Sequence, residues 1–352
     1  MADNTAPEAW AFEQDLKQVL VDNSAIWPML HSARLFITGG TGLIGRWLLE
    51  SLRLADQRLG LGAQATILTR NPAAFAQKAP HLSRYPAFQF IAGDVRDFDS
   101  PPGEYSYVLH AATDASKTLN DHDPRQMFDT VVRGTRRALD FAVEKSARRF
   151  FFLSSGAVYG PQPWSVERLS EDWTGGPDFT DPTATYAEAK RAAEMLCNIY
   201  AKQFGLDTAT ARIFAVLGPH LDLDIHFAAG NFIRDAMAGR SVVVESSGEA
   251  CRSYLYLSDL TTWLWQIMVR AAPGSAYNVG SEDWISIRDL AEKTANLLGS
   301  GRFEIRGESD TGWNPGRYVP DTTRARLELG LKASVPLDEA IRRTAMWNGW
   351  NG

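Results

Sequence analysis

Tyr186 and Lys190 stand four residues apart in TYAEAK (185–190), and Ser155, in SSGAVYG (154–160), precedes the tyrosine by 31 residues. A phenol, an ammonium and a hydroxyl are the parts of a proton-transfer site for a carbinol or ketone oxygen. Thr185 and Glu188 have capping-box spacing, which predicts a helix with Tyr186 at its first position and Lys190 one turn on, on the same face. Bringing a phenol from about 10 to near neutrality takes roughly 4 kcal/mol of preference for the phenolate. A neighbouring ammonium contributes to that preference, as would the positive ring of an oxidised nicotinamide. Ser155 is expected to hydrogen-bond the reacting oxygen.

A nicotinamide requires a dinucleotide site, and RLFITGGTGLIGRWLLESL (34–52) has the form of one. Gly39, Gly42 and Gly45 follow a β-rich run, and Leu43 and Ile44 open an amphipathic helix. Glycines permit a tight turn and close backbone approach, while the helix amino terminus presents N–H groups to a pyrophosphate. After the second strand, where an acid usually binds the ribose hydroxyls, ILTRNP (67–72) carries Arg70. A guanidinium pairs with a 2′-phosphate, so NADP is favoured over NAD, with Arg46 expected to add a second charge. Asp94 and Val95, after the third strand, are expected to border the adenine.

These residues need a scaffold. RLFIT (34–38), ATILT (65–69), FQFIAG (88–93), YVLHAA (107–112), RFFFLSS (149–155) and TATARIF (208–214) are nearly continuous in apolar residues, as strands buried on both faces are. Helices are expected over 43–55, 126–145 and 186–204, and an amphipathic one over 7–22 beginning at Pro7. The alternation predicts an α/β fold: a doubly wound parallel sheet, the Rossmann arrangement, with a smaller α/β carboxyl-terminal domain. Residues 1–33 read as a helical extension and 34–217 as the dinucleotide-binding domain, with contributions from about 250–280. Residues 218–352 read mainly as the substrate-binding domain. Loops at 160–184, which hold Trp164 and Trp173, and at 306–322 are expected to cover ligand or connect domains.

Composition narrows the partners. Among 352 residues, 36 basic against 42 acidic side chains give a net charge of -6, with no basic surface for nucleic acid or anionic lipid. No apolar run is long enough to span a membrane, and the amino terminus has no secretory pattern, so a cytoplasmic location is expected. Cys197 and Cys251 are far apart without ligand-spaced companions, and His110 and His220 stand alone, so no metal site is expected.

Taken in order, TGGTGLIG, HAA (110–112), SSGAVYG, YAEAK, ARIFAVLGP (211–219), NFIRDAMAG (231–239), RSYLYLSDL (252–260), YNVGSEDWISI (277–287) and RYVPDTTRARLELG (317–330) resemble the extended short-chain dehydrogenase/reductase family, in its NAD(P)-dependent nucleotide-sugar epimerase/dehydratase branch. The resemblance spans about 34 to 348. It implies Ser155, Tyr186 and Lys190 as the catalytic trio and Ala111 and Ala112 at the cofactor. It further implies Asn231 and Arg252 at a nucleoside diphosphate, Arg317 and Asp321 near the nucleotide, and a homodimer through helices 126–145 and 186–204. The 4,6-dehydratases of the family carry an Asp-Glu pair after the catalytic hydroxyl residue, and its decarboxylases usually keep a glutamate there. This chain has Gly156 and Ala157, which disfavours both; Val131 and Ala215 depart from the pattern too. What remains is hydride chemistry at C4 of a nucleotide-activated hexose. A 4-epimerase is the first expectation and an NADPH-dependent 4-keto-6-deoxy-sugar reductase the second; a regulator without turnover would show a broken trio.

Overall fold

A computed structural model describes residues 11–113, 117–224, 228–308 and 316–352. Seven strands form the main sheet: β1 (Arg34–Thr38), β2 (Gln64–Thr69), β3 (Phe88–Ala92), β4 (Tyr107–His110), β5 (Arg149–Ser155), β6 (Thr208–Ile213) and β7 (Ser275–Val279). Their order is β7-β6-β5-β4-β1-β2-β3, every pair parallel. The chain reverses direction across the sheet between β1 and β4, so a crevice opens at the carboxyl ends of those strands.

Alternation along each strand divides the core into two layers. Leu35 and Ile37 of β1 point into one, with α1 (Phe12–Asp22), α2 (Leu43–Leu59) and, later in the chain, the helix Leu257–Arg270. Phe36 points into the other, against α3 (Pro124–Glu144) and α4 (Thr185–Phe204). Both layers are filled by large side chains, Trp47, Trp263 and Trp265 in the first and Phe141, Phe150 and Phe152 in the second.

The six expected strands are present within one or two residues at each end. β7 was not among them; it comes from the 250–280 segment and adds beyond β6. α1 begins at Phe12, and the expected start at Pro7 lies outside the described residues. α2 runs to Leu59, four residues further than the pattern indicated, and ends on Gly60 at φ 62°, a left-handed cap. In the 306–322 segment, Arg317 and Tyr318 form a short strand beside Cys251–Ser253, and 309–315 lie outside the described residues.

A smaller layer follows β6. Helices Ala228–Met237, Ile287–Leu297 and Leu337–Trp347 enclose a third core with Leu217, Phe232, Ile233, Val242, Leu290 and Ile341. Strand Cys251–Ser253 pairs on both sides, antiparallel with Trp284–Ser286 and parallel with Arg317–Tyr318, and carries Arg252 toward the crevice.

Candidate active site

The crevice is a cavity of about 1100 Å³, above the roughly 300–1000 Å³ of single small-molecule sites, so two ligands can share it. Its floor is the glycine turn. Gly39 has φ 72°, and a β-carbon there would lie 2.5 Å from the Ala111 carbonyl carbon; one on Gly45 would lie 2.3 Å from the Gly39 oxygen. Those two glycines are demanded by the protein's own backbone. Gly42 is different: a β-carbon would meet nothing closer than 3.4 Å, its φ of -80° suits any residue, and it is exposed at the start of α2. No side chain caps that helix. Room without an internal reason, beside uncapped N–H groups, fits a pyrophosphate, so the residues present match a dinucleotide.

Ala111 and Ala112 are held against this turn by a hydrogen-bond chain the sequence did not reveal. Thr135 donates to the Val131 carbonyl at 2.7 Å, so His110 Nε2–H donates to Thr135 at 3.0 Å. His110 Nδ1 then accepts from Thr38 at 2.7 Å, and the Thr38 oxygen accepts the Ala112 N–H at 3.1 Å. Burial, with Lys190 nearby, pushes His110 down to about 3 and keeps it neutral, which this single proton order requires.

The trio assembles where β5 meets α4. Tyr186, Lys190 and Glu194 recur at four-residue steps, one face of α4, and the last two meet consecutive residues of β5. Lys190 Nζ donates to the Leu153 carbonyl at 2.8 Å, Ser154 donates to Glu194 at 2.6 Å, and Ser155 and Tyr186 line the same cavity. Glu194 is in turn fixed by Arg212 of β6 at 2.7 Å. Lys190 is buried, its Nζ 5.9 Å from the Tyr186 ring centre. Burial draws its ammonium down to about 7, against the pull of Glu194. Burial also pushes the Tyr186 phenol up. The protein's own groups therefore do not produce the lowered phenol expected from the sequence; a further positive charge is needed.

The start of α4 corrects the sequence reading. The helix begins at Thr185, Ala184 is its cap residue, and no capping box forms: Thr185 donates to the Pro182 carbonyl. The Tyr186 N–H is instead capped by Asn120 at 3.1 Å, and Asn120 also donates to the Thr183 carbonyl.

At the far end of the cavity Arg70, Asp94 and Arg96 line the rim, with Val95 buried behind against Gly134. Asp94 pairs with Arg96 at 2.8 Å, and this hydrogen bond holds its carboxyl below the usual range, with Arg70 contributing. Arg96 carried no sequence signal. Arg46 does not join this rim: it faces a separate cavity with Phe12, His220 and Trp347, on the other side of α2. Among the described residues, Lys78 alone of the basic side chains lines both.

A scan against family models matches residues 35–280 to the NAD dependent epimerase/dehydratase family. This chain belongs to that family. UDP-glucuronic acid decarboxylase 1 of Xenopus tropicalis is 32% identical over 311 residues, 88% of this chain and 71% of that one. Two solved structures share the fold. UDP-glucose 4-epimerase of Thermotoga maritima has a TM-score of 0.75 at 21% identity, covering 90% of this chain and 98% of that one. The dTDP-glucose 4,6-dehydratase DesIV of Streptomyces venezuelae has 0.74 at 22%, covering 89% and 96%.

Gly156 is buried, and a β-carbon there would lie 2.6 Å from the Tyr318 hydroxyl and 2.7 Å from the Phe214 ring. Any side chain at that position would have to displace the Tyr318 hydroxyl and the Phe214 ring. Tyr318 and Phe214, with ring centres 4.5 Å apart and ring planes tilted by 34°, line the cavity there, and neither was singled out from the sequence.

Of the four expected nucleotide contacts, Arg252 lines the cavity and the others do not. Asn231 accepts from Arg234 at 3.4 Å. Arg317 lies between the rings of Trp164 and Trp284, 4.4 and 5.3 Å from their centres, and Asp321 accepts the Thr323 N–H at 2.8 Å. Trp173 packs on a satellite cluster with Val158, Tyr159, Leu169 and Phe214. His220 packs against Trp347, ring centres 4.4 Å apart.

Proposed function

We propose that this chain is an NAD(P)-dependent nucleotide-sugar 4-epimerase acting on a nucleoside-diphosphate hexose. The observation that carries the reading is the sharing of one cavity by Ser155, Tyr186, Lys190 and the glycine cradle, with no acid or base at the two positions after Ser155. A nicotinamide dinucleotide bound on Gly39, Gly42 and Gly45 supplies the hydride acceptor and the positive ring charge. Tyr186 takes the proton of the C4 hydroxyl as C4 becomes a ketone, and returns it when the hydride comes back to the other face. Ser155 donates to the same sugar oxygen. Lys190, anchored on Leu153, lends positive charge beneath the phenol. Elimination of water would need a further proton acceptor and donor beside Ser155, and loss of a carboxyl group a proton donor to the carbon left behind; Gly156 and Ala157 provide neither.

A 4-keto-sugar reductase is the second reading, favoured by Arg70 and Arg96 at the adenine rim. Two guanidinium groups, with Asp94 neutralised by one of them, suit a 2′-phosphate and so NADP over NAD. Arg252 is the side chain proposed for the substrate diphosphate; Asn231, Arg317 and Asp321 would need to move to reach it. The exposed Phe128 of α3 and Met195 and Ile199 of α4 support a homodimer through these helices.

One assay separates the readings. Purified protein is incubated with UDP-glucose, UDP-N-acetylglucosamine, UDP-glucuronic acid and dTDP-4-keto-6-deoxyglucose. Epimer formation without added cofactor supports the first reading and NADPH consumption with the keto sugar the second. Release of carbon dioxide from UDP-glucuronic acid would overturn both.

A further inference from the structure

The second cavity, about 790 Å³ on the far side of α2, has the size of a small-molecule site. α1 contributes Phe12 and Leu16 to it, and α2 contributes Arg46, Glu50, Arg53 and Arg58. Trp347 comes from the last helix, and Lys78 ends the helix Pro72–Lys78.

Its charges are unequally used. Glu50, with a side chain only 4% exposed, accepts from His81 at 2.5 Å and from Arg53 at 3.2 Å. Glu13 pairs with Lys17 at 3.3 Å. Both acids of the cavity are therefore taken. Among the described residues, the side chains of Arg46, Arg58 and Lys78 form no hydrogen bond and no ion pair, and the Nε of Arg46 is buried without a partner. Burial draws this guanidinium below its ordinary range, against the pull of Glu50. The Nε2 of His220 is likewise buried and unpartnered. Burial, with Arg46 and His81 nearby, pushes that imidazole down to about 4, so it is neutral. Buried polar groups are ordinarily hydrogen-bonded and buried charges paired, and two such groups facing one cavity call for a ligand atom. The remaining wall is apolar, with the rings of Phe12 and Trp347 5.2 Å apart and Trp347 still 39% exposed.

We propose that this cavity is a second ligand site, separate from the dinucleotide crevice, and that it takes an organic phosphate. The phosphate group pairs with Arg46, Arg58 and Lys78 add positive charge around it, and the apolar body rests on Phe12, Leu16 and Trp347. Three uncommitted cations match the charge of a phosphate monoester better than the single charge of a carboxylate, and a guanidinium meets phosphate oxygens with two parallel hydrogen bonds. Arg46 thus has a use on the side of α2 to which the helix turns it.

The test is fluorine NMR of the full chain labelled with fluorotryptophan, in which the Trp347 resonance is assigned with Trp347→Phe. Phenyl phosphate should shift that resonance saturably, with a Kd at least about tenfold below those of inorganic phosphate and benzoate. Arg46→Met should weaken the binding at least about tenfold, and Arg46→Lys, which keeps the charge and loses the fork, by a smaller factor. Arg252→Met, in the other cavity, should leave the Trp347 titration unchanged. Because Arg46→Met removes a buried charge that has no partner, its Tm should equal or exceed that of the natural chain. A Trp347 resonance that phenyl phosphate does not move, or moves equally in Arg46→Met, overturns the inference. So does equal affinity for benzoate or inorganic phosphate, and so does a Tm of Arg46→Met well below the natural one, which would assign the guanidinium to the fold.

Discussion

Lys190 Nζ lies 2.8 Å from the carbonyl oxygen of Leu153, two residues before Ser155 on the same strand. This buried ammonium titrates near 7, whereas an unfolded lysine titrates near 10.5. Below about pH 7 both states bear the charge, and the folded state carries the full cost of burying it. Between 7 and 10.5 the unfolded chain binds more protons, so stability rises with pH across that window. Lys190→Met should therefore gain most in Tm, relative to the natural chain, below pH 7. The gain should shrink steadily toward 10.5, and differential scanning calorimetry at several pH values checks it. A pH-independent difference would mean that the lysine titrates alike in the folded and unfolded chain, with no cost of burying its charge. Turnover by the same variant should fall by about 10²–10⁴, the range for lost acid/base support.

The glycine turn separates demands of the fold from demands of a ligand. Gly39→Ala meets the Ala111 backbone at 2.5 Å with φ at 72°, so it should destabilise the protein by about 1–3 kcal/mol or more. Gly42→Ala is unobstructed by protein and should cost about 1 kcal/mol or less. Its dinucleotide affinity should nonetheless fall at least about tenfold, because the added methyl stands where a pyrophosphate would approach. Urea unfolding and fluorescence titration with NADH and NADPH compare the two variants. Equal affinity of Gly42→Ala and the natural chain would place the dinucleotide elsewhere.

Arg70→Glu tests the cofactor preference. A carboxylate at the end of β2 repels a 2′-phosphate and accepts from ribose hydroxyls, so NADPH affinity should drop by about tenfold or more while NADH affinity holds or rises. Titration at two salt concentrations adds a check, since the NADPH affinity of the natural chain should weaken with salt more steeply. No change in the ratio would leave the preference with Arg96.

Met195 and Ile199 are 59% and 38% exposed, one turn apart on α4. Replacing both by glutamate should convert a dimer to a monomer in sedimentation velocity at micromolar concentration, with little change in folding, because neither is in the core. A natural chain already monomeric under those conditions would refute the proposed interface.

The parts of the molecule that were legible in the sequence have short-range signals. Apolar runs between turn residues located six strands of the sheet, and the glycine spacing after β1 located the cradle. Tyr186 and Lys190 were legible because helix periodicity puts them on one face. What escaped detection depends on distant segments meeting. Asn120 caps α4 from 66 residues away, displacing the local capping box that the spacing of Thr185 and Glu188 had indicated. Tyr318 reaches Gly156 from a two-residue strand too short to show a pattern. Arg46 follows the glycine motif directly, yet helix geometry turns it through α2 to the opposite side, so proximity in sequence misled.

The matched steps of α4 and β5 have a broader consequence. Acid/base, cation and donor are mounted on two rods that lock together at two successive residues, Leu153 and Ser154, so thermal drift displaces them as a set and their mutual spacing survives. The groups facing them, Arg252 and Tyr254, hang from the smaller layer after β6. Alterations to that far wall can change which sugar is admitted while the proton-handling machinery keeps its calibration.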